Sequence, residues 1–365
     1  LGRTAISWDV IILGAGPAGL ALARNLQPNR RILVMERRAT MPTGPRIGES
    51  LPGSASVLLQ RLGLFDQFLS GDHRERGATL TIWDEATSVW RDALRDPSGP
   101  GWNMNRREFD QMLLAGARDA GATILEGCSQ FEIERQEQDW CIRLHQSDDL
   151  HCAPILVDAT GRSGSIARRL GVSVYADDPL LCVYTFLCSC PDDEDATMRI
   201  QADEQGWWYT VQIPHGQRVL AYHLDAENPL WRQWQKPLDF LDYARRHPLI
   251  AEAIHSLAPS KLQYRPAGTA MLDIDTLHQA GSGFLAIGDA LLTFDPISSQ
   301  GIFHSLASAE SAANAIRASF SENLDALKNF QNEMRAVGTR YLINLKSTYQ
   351  GPRRFANCEF WSKRA

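Results

Sequence analysis

The run Gly14-Ala15-Gly16-Pro17-Ala18-Gly19 is a GxGxxG turn, and the chemistry that asks for such a turn is the binding of a pyrophosphate. The first glycine makes the tight turn, the second lets a phosphate approach the backbone, and the third allows a helix to pack closely on a strand. A helix that opens with Pro17 and Ala18 points its positive end at the phosphates. Glu36 lies 17 residues beyond Gly19, with Arg37 beside it, where an acid accepts hydrogen bonds from an adenosine ribose. Its charge disfavours a 2′-phosphate, so NADP is not expected at this site. A GxGxxG by itself is as often a plain turn, but a strand before it, a helix after it and the acid in register favour a dinucleotide.

Two later segments place an acid after an apolar run: Asp158-Ala-Thr-Gly161-Arg162-Ser163, and Gly288-Asp289 ahead of Ser298-Ser299-Gln300-Gly301-Ile302. Taken singly, Asp158 and Asp289 read as turn or cap residues; their order behind the first motif makes them cofactor candidates. A helix starting between Ser299 and Gly301 would bring a positive dipole end to a ring that gains negative charge. Helix capping by Ser298 and Ser299 is compatible with that reading. In Gly48-Glu49-Ser50-Leu51-Pro52, Glu49 is a candidate proton-handling group or a helix-dipole partner. Arg46 is a phosphate contact or an exposed loop arginine. The cluster Trp207-Trp208-Tyr209 is either core or a surface for an aromatic substrate. The nine histidines show no ligand spacing, and no metal site is expected.

These residues need elements to hold them. Asp9-Val-Ile-Ile-Leu13, the helix formers Pro17 to Leu26 and Arg31-Ile-Leu-Val-Met35 make a βαβ unit, which requires parallel strands and a right-handed crossover. Thr43 to Pro52 is a loop, Ser54 to Leu69 and Asn105 to Ala120 have helical spacing, and strands are expected around Cys128 to Arg135, Trp140 to His145 and Ile155 to Val157. From Val174 to Arg265 the pattern alternates and is rich in aromatics, as in an antiparallel sheet. The nucleotide pattern then resumes with Phe284 to Ile287 and a helix over Gln300 to Ala318, and Leu324 to Ala365 is mostly helical. The expected organisation is α/β. A discontinuous nucleotide domain covers 1–80, 98–173 and 266–330, a substrate domain covers 81–97 and 174–265, and a helical tail covers 331–365.

In that order the motifs resemble the superfamily of FAD-dependent aromatic hydroxylases and tryptophan halogenases, with a glutathione-reductase-type Rossmann-like FAD fold, from about Val10 to Ala318. The resemblance implies FAD as the cofactor. It implies that Asp289 binds the ribityl chain and that the loop Asp295-Pro296-Ile-Ser-Ser-Gln-Gly301 lies beside the isoalloxazine. It also implies that Arg106, in Arg106-Arg-Glu-Phe-Asp110, contacts the cofactor from a helix start. Ser299, Gln300 and Glu49 become the candidates nearest the chemistry, and O2 the co-substrate, attacking a ring through a flavin C4a-hydroperoxide. Electrons would come from NAD(P)H acting transiently or from a separate flavin reductase, since no second GxGxxG occurs.

The chain departs from the halogenases. No lysine occurs between Ser50 and Met104, and Gly206-Trp-Trp-Tyr-Thr-Val-Gln-Ile-Pro214 is two residues longer than their Trp-x-Trp-x-Ile-Pro motif. The Gly-Trp-Trp-Tyr segment, the Gly-Glu-Ser-Leu-Pro loop and the ending Glu359-Phe360-Trp361 look instead like monooxygenases that hydroxylate a tryptophan in a partner protein to mature a tryptophylquinone. Halogenation, an isoprenoid-type FAD reductase or dehydrogenase, and an FAD-bound partner-binding module are the rival readings. With 365 residues, 44 % of them apolar, and a net charge of -6, the chain can bury a large core and offers nucleic acid no general attraction. No apolar run reaches membrane-spanning length, and Leu1 to Ser7 lacks the core of a secretory signal. A cytoplasmic location follows by default, and with it seven cysteines that are buried or idle thiols.

Overall fold

The computed structural model describes residues 5–365 apart from 41–43, 45, 146, 148, 189–192, 255–257, 322 and 324, and of Leu94 the backbone alone. Residues 1–4, Thr43 at the start of the expected loop, Cys190 and Leu324 therefore lie outside the described residues. The strands Phe284–Ala286, Ile155–Asp158, Val10–Leu13, Ile32–Glu36 and Thr123–Glu126 lie side by side in that order, all parallel. Their inner members are unbroken apolar runs because both faces are covered: Val10, Ile11, Ile12, Leu33, Val34, Leu156 and Val157 are wholly buried. The helices Pro17–Leu26 and Gly301–Ser319 pack against each other. Alanines on the buried sides of both, among them Ala21, Ala309 and Ala312, allow that approach. The helix Arg106–Asp119 lies against the first of them, its N-terminus capped by the Asn105 side chain. Because every strand of this sheet points the same way, the loops after Leu13, Glu36, Asp158 and Ala286 gather at one edge, where α/β folds bind nucleotides.

Two expectations need correction. The helical run from Ser54 to Leu69 is two helices, Ala55–Arg61 and Phe65–Leu69. Gly63 between them takes φ +64, a left-handed turn that ends one helix before the next begins. Not all the cysteines are thiols, either. The strands Phe131–Gln136, Asp139–Leu144 and Leu150–Ala153 form a meander in which Cys141 stands directly opposite Cys152, and the two form a disulfide. Cys128 and Cys182 are buried thiols, Cys358 is half-buried and Cys188 is exposed.

The aromatic region is an eight-stranded sheet. Leu180–Cys188, Gln217–Asp225, Gly206–Ile213 and Met198–Asp203 are its antiparallel centre, and Thr79–Ile82 joins its far side in parallel to Met198–Asp203, followed by Val89–Arg91. Side chains alternate between its faces. One face carries Tyr184, Cys182, Trp207 and Tyr209 and looks toward Ile47 and Ile297 of the nucleotide domain. The other carries Trp208, Leu220 and Tyr222 and is covered by Trp234 and the helices Pro237–Ala244 and Pro248–Ile254. The helix Ala326–Tyr349 then crosses back to the first face. There Tyr349, Phe360 and Trp361 join Trp207 in one buried cluster. Among the described residues no helix is long and apolar enough to cross a membrane.

Candidate functional site

At the carboxyl edge of the parallel sheet the three glycines of the first motif behave differently. A Cβ on Gly14, at φ +116, would lie 2.3 Å from the Ala159 carbonyl oxygen, and one on Gly19 would lie 2.0 Å from that of Gly14. Both positions are closed by the protein itself. A Cβ on Gly16 would meet nothing within 4 Å, and the same holds for Gly161 and Gly301. The space beside these three is therefore open, as a ligand that touches backbone requires. Gly16 is the N-cap of its helix and makes no side-chain cap, so the helix end offers free N–H groups. Pro17 is half-buried and Ala18 buried behind it. Glu36 accepts the N–H of Ala15 at 3.0 Å and that of Arg38 at 3.1 Å, which ties the acid to the glycine turn. Arg37 is exposed beside it.

Asp158 and Asp289, alike in sequence, differ in the structure. Asp158 is wholly buried. One of its oxygens accepts the N–H and hydroxyl of Thr160, at 2.9 and 2.6 Å, and the other the N–H groups of Ile166 and Ala167, at 3.0 and 2.9 Å. These four bonds hold the turn and the start of the next helix. The carboxylate of Asp289 has no hydrogen-bond partner among the described residues. Burial pushes its pKa up to about 6, against the pull of Arg106 and Arg162. Gly288 before it takes φ +55, where a Cβ would lie 2.7 Å from that of Ala18.

Further polar atoms are buried without partners on the same side. They are Oγ of Ser50, both side-chain atoms of Asn103 and Nε of Arg106, with Ser50 and Asn103 paired across a short antiparallel contact. Arg106 donates to the Gly48 carbonyl at 2.7 Å and to Asp110 at 3.1 Å, and Arg46 also binds Asp110, at 2.5 Å. Buried polar groups are normally satisfied, so open glycine faces, an unpaired carboxylate and a set of unpaired donors fit a large polar cofactor such as FAD. Asn103 carries no motif signal; only its burial inside an apolar run could have pointed to it.

The loop after Asp295 is held from the tail. Asp295 accepts the N–H of Ile297 at 2.9 Å and the hydroxyl of Tyr349 at 2.8 Å, and the Trp207 indole donates to that hydroxyl at 3.3 Å. Burial raises Asp295 to a pKa of about 6. Pro296 opens a short 3-10 turn, and Ser299 follows at φ +50. Ser298 accepts the Gln300 N–H at 3.3 Å, and neither it nor Ser299 caps the helix that starts at Gly301. Ile302 is buried in the first turn, and the helix end stays open. Glu49 is buried and accepts the Tyr209 hydroxyl at 2.5 Å and the Gly48 N–H at 2.8 Å. Desolvation outweighs these bonds and raises its pKa above the ordinary carboxylate value.

The three aromatic candidates part company. Tyr209 reaches Glu49. Trp207 lies on the same face, stacked 3.7 Å from the His223 ring, which burial keeps neutral with a pKa pushed down to about 3. Trp208 is wholly buried on the opposite face, 5.1 Å from the Phe240 ring. Its expected place in substrate recognition is corrected by strand alternation. Tyr349 and Asp295 are the members of this cluster that sequence reading did not single out as site residues. All five lysines, at 236, 261, 328, 346 and 363, are exposed, so none is buried in the interior.

This architecture is found in known proteins. CmlS, a flavin-dependent halogenase, superposes with a TM-score of 0.83 over 100 % of this chain and 68 % of its own, at 23 % identity. QhpG, a peptidyl tryptophan dihydroxylase essential for tryptophylquinone cofactor biogenesis, superposes with a TM-score of 0.75 over 98 % of this chain and 78 % of its own, at 20 % identity. In sequence, LodB of Marinomonas mediterranea, named as an FAD-dependent oxidoreductase, is 28 % identical over 366 residues, covering 98 % of this chain and 97 % of LodB. The family described as FAD binding domain matches residues 7–341, and the chain belongs to this family of FAD-dependent oxidoreductases.

Proposed function

We propose that the protein is an FAD-dependent monooxygenase that hydroxylates an aromatic ring, and that the ring is a tryptophan carried by a partner protein. FAD would lie with its pyrophosphate at Gly16, its adenosine ribose at Glu36, its ribityl chain at Asp289 and its ring beside Pro296 to Gly301. Reduced FAD supplies the activation of O2, with NAD(P)H or a separate flavin reductase as the source of electrons. The protein's own part is to exclude water and handle protons. Trp207, Tyr209, Tyr349 and Trp361 form an apolar interior, and Glu49, hydrogen-bonded to Tyr209, would take the proton that leaves the ring.

The observation that carries this reading against halogenation is the exposure of every lysine. Hypohalous acid made at the flavin would find no interior amine to carry it to a substrate. QhpG's peptidyl substrate supports a protein-borne target. The test is mass spectrometry of products formed by the reduced holoprotein in buffers rich in chloride and bromide. We expect oxygenated product and no halogen; a halogenated indole, dependent on reduced flavin, overturns the proposal.

A further inference from the structure

On the inner face of the large sheet Tyr349, Phe360 and Trp361 of the tail pack against Trp207. A cavity of about 340 Å³ lies instead between the flavin-facing loop and the helix Ala326–Tyr349, lined by Phe294, Ile297, Gln300, Arg340, Asn344 and Leu345 among others. Its size is at the low end for small-molecule sites, enough for a single ring system. The ring of Phe294 forms one side, stacked 4.1 Å from Tyr341. Three polar groups at the cavity are uncommitted: the side chains of Gln300, Arg340 and Asn344 have no hydrogen-bond or ionic partner among the described residues, whereas the hydroxyls of Ser298, Tyr341 and Thr348 are bonded within the protein. Arg340 is exposed. Thus an apolar slot that starts at the Ser298 and Gln300 loop opens onto a rim with one free positive charge.

We propose that this cavity is where the substrate's ring enters, and that its occupant is an aromatic side chain on a polypeptide with an acidic residue next to it. The inference deepens the monooxygenase reading and rests on it for the chemistry, though not for the binding. The slot takes the ring, the amides of Gln300 and Asn344 meet the polar edge of an indole or the flanking backbone, and Arg340 pairs with the neighbouring carboxylate. An aromatic anchor in a small pocket with a charged pair at the rim is the usual anatomy of a protein contact. A free phenol would leave Arg340 without a role.

The test is fluorescence anisotropy of a labelled, blocked peptide containing Trp-Glu, titrated with oxidised holoprotein. We expect saturable binding, weakened about tenfold or more when the peptide carries Leu in place of Trp, and equally by Leu345→Trp, which fills the slot. Arg340→Glu, at an exposed position that folding does not need, should weaken the Trp-Glu peptide about fivefold while leaving a Trp-Gln peptide unchanged. Flavin content and melting temperature of each variant serve as controls. No saturable binding to the wild type, or binding indifferent to both variants, overturns the site. Because oxidised enzyme is used, the two proposals fail separately. Peptide binding as expected with no oxygen in the ring after reduction under O2 defeats the monooxygenase reading alone. Ring oxygenation untouched by both variants defeats the cavity alone.

Discussion

At the edge of the parallel sheet the open surface is mostly backbone: Gly16, Gly161 and Gly301 leave space open, and the helix ends behind Gly16 and Gly301 carry no side-chain cap. On the inner face of the large sheet side chains take up the space, with Trp207 on His223, Tyr209 on Glu49 and Tyr349 between Trp207 and Asp295. One region is specified by what is left out, the other by what is packed in. A substitution should therefore remove function without touching stability in the first region, and couple the two in the second.

The largest effect expected is at Gly16. Valine there adds bulk to space the protein does not use, at an ordinary backbone conformation, φ -83 and ψ -179. Gly16→Val should fold with the melting temperature of the flavin-free wild type and retain no FAD on gel filtration, a loss of at least about 100-fold in affinity. Gly19→Val, whose Cβ would lie 2.0 Å from a backbone oxygen, should fail to fold. Matching behaviour of the two variants would erase the distinction between open and closed glycines.

In the packed region, Trp208→Ala should cost about 3–5 kcal/mol of stability, the range for deleting a large aromatic from a core, measured by denaturant unfolding. FAD content in the surviving folded fraction should be unchanged. A stable variant with impaired substrate recognition would put Trp208 back in the site.

A smaller effect links the regions to pH. With the ribityl hydroxyls at Asp289 as proposed, its charged form is the stronger acceptor for them, and its pKa before binding is about 6. FAD binding then releases a proton below that value, so Kd should rise as pH falls through about 6, by up to about tenfold per unit. Asp289→Asn should bind FAD weakly with no such slope in a fluorescence titration. A slope retained in the variant would assign the proton elsewhere.

Tyr209→Phe is the mildest. It removes a donor to the charged form of Glu49, so the Glu49 pKa should rise further. The acid limb of the pH profile for product formation should move up by about one unit, since a hydrogen bond to a charge is worth ~1.5 kcal/mol. An unmoved profile would mean that Glu49 does not titrate in turnover.

The parallel sheet and its crevice were legible because backbone geometry limits which residues a pyrophosphate turn allows, and glycine spacing records that limit. The part that Asp158 plays in its own turn was not, because an acid after a strand looks the same whether or not it caps; it lies in four hydrogen bonds that sequence does not display. Trp208 was legible in principle, since alternation along Gly206–Ile213 puts it opposite Trp207 and Tyr209. Reading the three as one cluster overrode the period of the strand. Cys141 and Cys152 are opposite each other only through the register of two strands, and Tyr349 meets Asp295 across 54 residues of chain, a contact that no local pattern carries.

The central claim is that activated oxygen passes to an aromatic ring borne by a protein. The most direct measurement is the mass of the product made by reduced holoprotein under 18O2 with tryptophan-bearing partner proteins, run beside free tryptophan and phenols. The account predicts 18O in a tryptophan of a partner and little in the free compounds; efficient labelling of a free phenol, with none in any protein, would contradict it.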